Sequence, residues 1–265
     1  MAKTPGIVAL LTDYGLQDAY AGILKGALLS VNPAAHIVDL THDIPPQDIR
    51  EGGRVLSAAR PYFPPGTVFV AIVDPGVGTD RAILGVETDR HYFLAPDNGI
   101  LGFLDRGGKI RRIVRVTESR YFLKPVSRTF HGRDIFAPVA AHLSKGVDLG
   151  RFGPGIGRIT TSEATAPRVT SEGAVHGEVV SIDRFGNLIT NIPGDLLRDS
   201  RDVRITVGKR IVRALSGSYA DAKKGELLAL VGSTGHLEIS VNQGSARNAA
   251  RIHRGDRVLV TRTSG

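Results

Sequence analysis

At 265 residues, 42% hydrophobic and 23% charged, the chain has the composition of a globular protein and the length to bury two domain cores. It has no cysteine, which excludes disulfides, thiolate metal sites and cysteine nucleophiles. No apolar run approaches the roughly 20 residues of a membrane helix and no signal-peptide pattern opens the chain, so a cytoplasmic location is expected, while the net charge of +8 raises the question of nucleic acid.

In chain order, residues 6–12 read as a strand. Tyr20, Ile23, Leu24, Ala27, Leu28 and Val31 then mark one helical face, stopped by Asn32-Pro33. Residues 37–41 are a second strand, and a second helix turns Ile49, Gly52, Gly53, Leu56 and Ala59 inward before Pro61. The apolar run 67–73 is a buried strand ending in Asp74, and strands at 82–88, 92–95 and 110–116 follow. Asp134 stands where it would cap a helix whose inward residues are Phe136, Val139, Ala140 and Leu143. This alternation predicts an N-terminal α/β domain over 1–146, a mostly parallel sheet with helices on both faces. Glycines, prolines and a Ser/Thr cluster over 147–172 read as a connection. From 173 to 265 the period falls to two (Val203/Ile205/Val207, Leu237/Ile239/Val241, Val258/Val260), with Gly208-Lys209 as a tight hairpin turn. That is a smaller all-β, barrel-like domain.

Several clusters combine turn chemistry with reactive groups. Over 73–81 the chain reads Val-Asp-Pro-Gly-Val-Gly-Thr-Asp-Arg. Pro75 fixes φ, Gly76 and Gly78 allow geometry closed to other residues, and a short turn brings Asp74 and Arg81 together. The alternative is a plain turn closed by a surface ion pair. Asp13 leaves the first strand toward the same crevice, where a carboxylate can accept ribose hydroxyls. Asp18 opens the first helix and reads as its N-cap. His131 is either a proton carrier or a hydrogen-bonded surface residue. Asp183-Arg-Phe-Gly-Asn187 with Thr190-Asn191, Gly232-Ser-Thr-Gly235 and Asn242-Gln-Gly244 either close hairpins or grip a planar ligand. No His-x-x-x-His pair or acidic cluster argues for a metal, and none is expected. The cationic stretch 106–133 reads as a solvated face or a set of ion pairs rather than a nucleic-acid track.

Taken in order, Leu11-Thr-Asp-Tyr-Gly15, Asp18, Val38-Asp-Leu-Thr-His42, residues 73–79, Ala95-Pro-Asp-Asn-Gly99, Thr129-Phe-His-Gly-Arg-Asp134 and Ile182-Asp-Arg-Phe-Gly-Asn187 with Thr190-Asn191 resemble one family. It is that of the S-adenosylmethionine hydroxide adenosyltransferases, adenosine-forming hydrolases related to fluorinase and chlorinase. The resemblance implies S-adenosyl-L-methionine as substrate, no cofactor, and a homotrimer whose sites lie between one subunit's N-domain and its neighbour's C-domain. It makes Asp74, Arg81 and His131 the catalytic group and Asp13 the ribose-binding acid, with Asp18 toward methionine. Asp183 and Asn187 would receive the methionine end with Ser233 and Thr234, and Phe185 and Asn242 would line the adenine side.

In fluorinases a tyrosine stands in the place of Asp74, a serine in that of Gly132 and a tryptophan near Gln47, and this chain has no tryptophan. A carboxylate repels halide but orients or deprotonates water. The implied reaction is in-line attack of water or hydroxide on ribose C5′, giving adenosine and methionine. The residues leave open whether Asp74 or His131 takes the proton, and whether Arg81 acts on the water or on Asp74. The competing readings are a halide-using 5′-halo-adenosine synthase of the same fold and a non-enzymatic nucleoside or nucleic-acid binder.

Overall fold

In the first unit of the chain, apolar strands alternate with helical stripes. The computed structural model describes residues 5–107, 109–161, 166–197 and 203–262, and the chain divides into two compact units, 1–163 and 164–265. The first contains β1 (Ile7–Thr12), α1 (Tyr20–Val31), β2 (His36–Thr41), α2 (Ile49–Ala59), β3 (Val68–Ile72), β4 (Ile83–Thr88), β5 (Tyr92–Pro96), α3 (Phe103–Gly107), β6 (Ile110–Arg115) and α4 (Ala137–Ser144). The sheet order is β2-β1-β3-β5-β4-β6. It is parallel from β2 to β5, and β4 and β6 join antiparallel at one side.

Both faces of this sheet are covered, as the buried character of β3 and β5 requires. Leu24 and Leu28 of α1 and Val139, Ala140 and Leu143 of α4 pack with Val8, Leu10 and Val70 on one face. Leu56 of α2 packs with Ala9, Leu11, Phe69 and Phe93 on the other. Gly52 and Gly53 let α2 approach closely, because a Cβ on Gly53 would lie 2.7 Å from the Ile100 carbonyl oxygen. Asp48 caps α2, accepting from the Glu51 N–H at 3.0 Å, a contact worth about 1 kcal/mol.

Three sequence expectations change here. Asp18 does not cap α1: the cap position is Ala19, without a side-chain hydrogen bond. Asp134 is not a cap either but lies buried inside a π-helical turn, Gly132–Phe136, that leads into α4. On α1, Tyr20 and Ile23 belong to the apolar stripe but are exposed, because the sheet covers only the arc around Leu24 and Leu28. Of the stretch 147–172, Leu149 and Phe152 are buried in the first unit's core.

The second unit runs β7 (Arg168–Val169), β8 (Val175–Ile182), β9 (Leu188–Pro193), β10 (Val203–Val207), β11 (Arg210–Val212), β12 (Leu227–Val231), β13 (His236–Val241), α5 (Ala246–Ala250) and β14 (Arg257–Arg262). Its strands pair antiparallel in the order β11-β10-β14-β8-β9-β13-β12, with β7 beside β8. The Ser216 N–H donates to the Ala229 carbonyl at 2.7 Å, drawing the ends toward a closed barrel around Ile192, Ile205, Ile239 and Val258. Gly208, with φ of 54°, makes the expected two-residue hairpin between β10 and β11.

Part of the positive charge is consumed inside the first unit. Arg112 bridges Glu87 and Asp148 at 2.8 Å each, and Arg133 holds Asp134.

His91, between β4 and β5, is 3% exposed among the rings of Phe69 and Phe93. Neither ring nitrogen has a partner among the described residues. Burial, reinforced by the charges of Arg90 and Arg60, pushes its pKa from 6.5 down to about 4. Between those values the unfolded chain binds a proton that the native state refuses, so stability falls as pH drops from 6.5 toward about 4. Urea denaturation as a function of pH should show wild type losing up to about 3 kcal/mol more than His91→Phe across that window. Parallel curves would exclude His91 as the source.

Candidate functional site

Strand order reverses between β1 and β3, where Thr12 pairs with Ile72, so the crevice of an open α/β sheet lies at their carboxyl ends. Asp13 and Asp74 leave those two ends. Behind Asp13, the Thr12 hydroxyl contacts His42 Nδ1 at 2.8 Å, and His42 Nε2 contacts Asp39 at 3.1 Å. Asp39 also holds Lys25. The Tyr14 N–H donates to Thr12 Oγ1, and the Gly15 N–H to the His42 carbonyl at 2.8 Å. The 12–15 turn is thereby tied to the end of β2. Asp13 Oδ2 accepts from the backbone N–H of Gln47, itself at φ of 66°. Asp18 is exposed.

The 74–81 loop closes on itself. Arg81 Nε donates to Asp74 Oδ1 at 3.0 Å and Oδ2 at 2.9 Å, while Nη2 donates to Oδ2. With Asp74 at 5% side-chain exposure and Arg81 at 11%, this is a buried pair, not the surface ion pair of the plain-turn reading. The same Nη2 lies 3.0 Å from His131 Nδ1. A guanidinium only donates, so Nδ1 accepts, and the imidazole is neutral with its proton on Nε2. Burial, and then the Arg81 charge, lower the His131 pKa, which agrees with that form. Of the two loop glycines only Gly78 has a positive φ, 80°. A Cβ there would also lie 2.3 Å from the Arg128 carbonyl oxygen, so its glycine lets the loop press against the segment leading to His131. Asn98 donates to the Val73 carbonyl at 2.8 Å and fixes the strand end before Asp74.

The turn after His131 carries the buried Asp134. Burial alone would raise that carboxyl's pKa, but Arg133 and the Ser127 N–H, at 2.7 Å, hold it below the usual range. The loop is thus clamped to the turn that carries His131.

In the second unit, Asp183 and Asn187 form one closed turn. Asp183 Oδ1 accepts from the Phe185 and Asn187 N–H groups at 2.9 Å each, and Asn187 Nδ2 donates to Oδ2 at 2.8 Å. Phe185 projects from it, 75% exposed. Ser233 and Thr234 are exposed in the β12–β13 turn. Asn242 uses its amide on the Ala222 carbonyl.

One group carries no motif signal. The Tyr219 hydroxyl donates to Glu238 Oε1 at 2.7 Å, and Ser240 donates to the same oxygen. The Glu238 bond, burial and the charges of Glu238 and Asp183 push the Tyr219 pKa up to about 12. The Thr12–His42–Asp39 chain falls within two of the quoted motifs, but its contacts are not legible there, because only the pairing of β1 with β2 brings its members together. No His/Cys/Asp/Glu group among the described residues is arranged to hold a metal ion.

Residues 8–153 match the model for the N-terminal domain of SAM hydroxide adenosyltransferases, and residues 177–259 that for the C-terminal domain. The chain is 39% identical to a (R)-S-adenosyl-L-methionine hydrolase of Salinispora tropica, over 98% of this chain and 99% of that protein. A fluorinase of Actinopolyspora mzabensis is more distant, at 28% over 97% of each chain. The crystal structure of an uncharacterized conserved protein from Thermotoga maritima superimposes with a TM-score of 0.91, at 40% identity over 96% of this chain and 100% of that one.

Gly146, at φ of 92° with open space around it, separates backbone cost from crowding. Gly146→Ala should cost about 1 kcal/mol in urea denaturation, and Gly78→Ala at least about twice that because the Arg128 carbonyl must also move. Equal losses would mean that the two loops are not pressed together.

Proposed function

The chain belongs to the SAM hydroxide adenosyltransferase family and is an enzyme that hydrolyses S-adenosyl-L-methionine to adenosine and methionine, and we propose that Asp74 receives the proton of the attacking water. The observation behind the assignment is the single guanidinium of Arg81 shared between Asp74 and His131. Since His131 Nδ1 already accepts from Arg81, the carboxylate is the basic group left to face water. Arg81 orients Asp74 by hydrogen bonds to both of its oxygens, and His131 keeps Arg81 in place.

The leaving group is a neutral thioether, so no acid is needed there; the demand is on the nucleophile. A positioned base contributes about 10²–10⁴-fold. Alignment of water with C5′ and sulfur, in a site sheltered from bulk solvent, supplies much of the rest. A carboxylate at this place repels halide, which argues against a 5′-halo-adenosine product.

In the same reading Asp13 holds the ribose, Asp18, Asp183 and Asn187 serve the methionine end with Ser233 and Thr234, and Phe185 and Asn242 line the adenine side. The enzyme uses no cofactor or metal and works as a cytoplasmic homotrimer whose sites are shared between subunits. Support for assembly comes from apolar side chains left in solvent near the Asp13 turn: Leu16 at 67%, Tyr20 at 50% and Ile23 at 41%. Within the cationic stretch Arg112, Arg120 and Arg133 are engaged by carboxylates of the chain itself, which argues against nucleic acid.

Turnover of S-adenosyl-L-methionine in ¹⁸O water should place label in the 5′-hydroxyl of released adenosine. Free adenine, or no turnover, overturns attack at C5′. Asp74→Asn should lower kcat by about 10²–10⁴-fold while substrate binding, followed by calorimetry, changes little. Full activity in that variant would remove Asp74 from the role of base.

A further inference from the structure

Residue 132 lies directly after His131 and begins the π-helical turn that enters α4. Its Cα is buried, and the space beside it is taken: a Cβ on Gly132 would lie 2.3 Å from the Tyr14 hydroxyl oxygen. The next nearest atoms, Tyr14 Cζ and Phe130 Cε2, would both be 3.3 Å away, a tight but adjustable distance. The hydroxyl alone therefore forbids a side chain at 132. It is held there from behind. The Tyr14 ring meets Phe130 edge-on at 5.9 Å and Tyr20 at 6.1 Å, and its N–H is bound to Thr12 Oγ1. Burial, with the charges of Asp13 and Asp74, raises its pKa, so the group stays a neutral phenol beside the carboxylates.

We propose that Tyr14 is a positioning residue of the hydrolytic site, its hydroxyl acting as a stop against Gly132 that sets the depth at which His131 meets Arg81. Positions 14 and 132 are then one unit of volume divided between two chain segments. Removing the hydroxyl lets the turn sink and the His131–Arg81 contact slacken; adding a methyl at 132 pushes the turn away with the same result. Doing both refills the space. The inference rests on the hydrolase reading only where turnover is the readout.

The experiment is a cycle of Tyr14→Phe, Gly132→Ala and the double variant, with two measurements on folded protein. Each single substitution should lower kcat by about tenfold with KM changed less than about threefold, and the double variant should recover to within about threefold of wild type. Losses that multiply in the double variant overturn the proposal. So does a wild-type kcat in Tyr14→Phe.

The second measurement is the His131 titration by NMR. The groups facing the ring are Arg81, which lowers its proton affinity together with burial, and Asp74, Asp134 and the Ser127 backbone, which raise it. Slackening the Arg81 contact in Tyr14→Phe should move the midpoint up by about half a pH unit or more, and the double variant should bring it back. An unmoved midpoint shows a purely packing role and overturns the proposal even if activity falls. A wild-type protein without turnover would instead fail the hydrolase reading, with the titration still testing Tyr14. If Gly132→Ala does not fold, Tyr14→Phe and the double variant carry both measurements.

Discussion

One guanidinium joins the two halves of the first unit's chemistry. Arg81 gives hydrogen bonds to both oxygens of Asp74 and to a ring nitrogen of His131, groups 7 and 50 residues away in sequence. Taking a carboxylate and a guanidinium almost wholly out of water is costly unless each finds the other in good geometry, and removing one partner from such a pair typically costs about 3–5 kcal/mol. The surrounding backbone is shaped to that requirement. Gly78 passes under the Arg128 carbonyl, Asn98 fixes the carbonyl before Asp74, and Asp134 draws the 127 loop onto the turn that carries His131.

The pairing also fixes the state of the imidazole. Because a guanidinium has no acceptor, the direction of the Arg81–His131 bond fixes the imidazole as the neutral, Nε2-protonated form. The Nδ1 lone pair is thereby taken up by Arg81.

The sheet supplies the rigid base for this arrangement. β1 and β3 are central, buried and in register at their carboxyl ends, so Asp13 and Asp74 begin from fixed neighbouring points. The Thr12–His42–Asp39–Lys25 chain then ties the turn after β1 to β2, a strand whose outer edge is open to solvent. In the barrel unit the polar turns do similar work locally: the Asp183 carboxylate organises its own loop, and Phe185 is left projecting from it.

Periodicity was enough to place β1 to β6, α1, α2 and α4 in the first unit, β10, β13 and β14 in the second, and the hairpin at Gly208, since each follows from local spacing of apolar residues and from turn chemistry. The ordered motifs were enough to point to the family, and they singled out Asp74, Arg81 and His131, which the fold brings into contact. Local sequence misassigned Asp18 and Asp134 as caps, because an acid before an apolar stripe looks the same whether it turns back to the helix or across to Ser127 and Arg133. It also could not tell that Tyr20 and Ile23 stay outside while Leu24 and Leu28 go in. The tautomer of His131, the closeness of Tyr14 to Gly132 and the burial of the Asp74–Arg81 pair were decided by tertiary structure alone. Each is a distance between segments that are brought together only by strand order and loop packing.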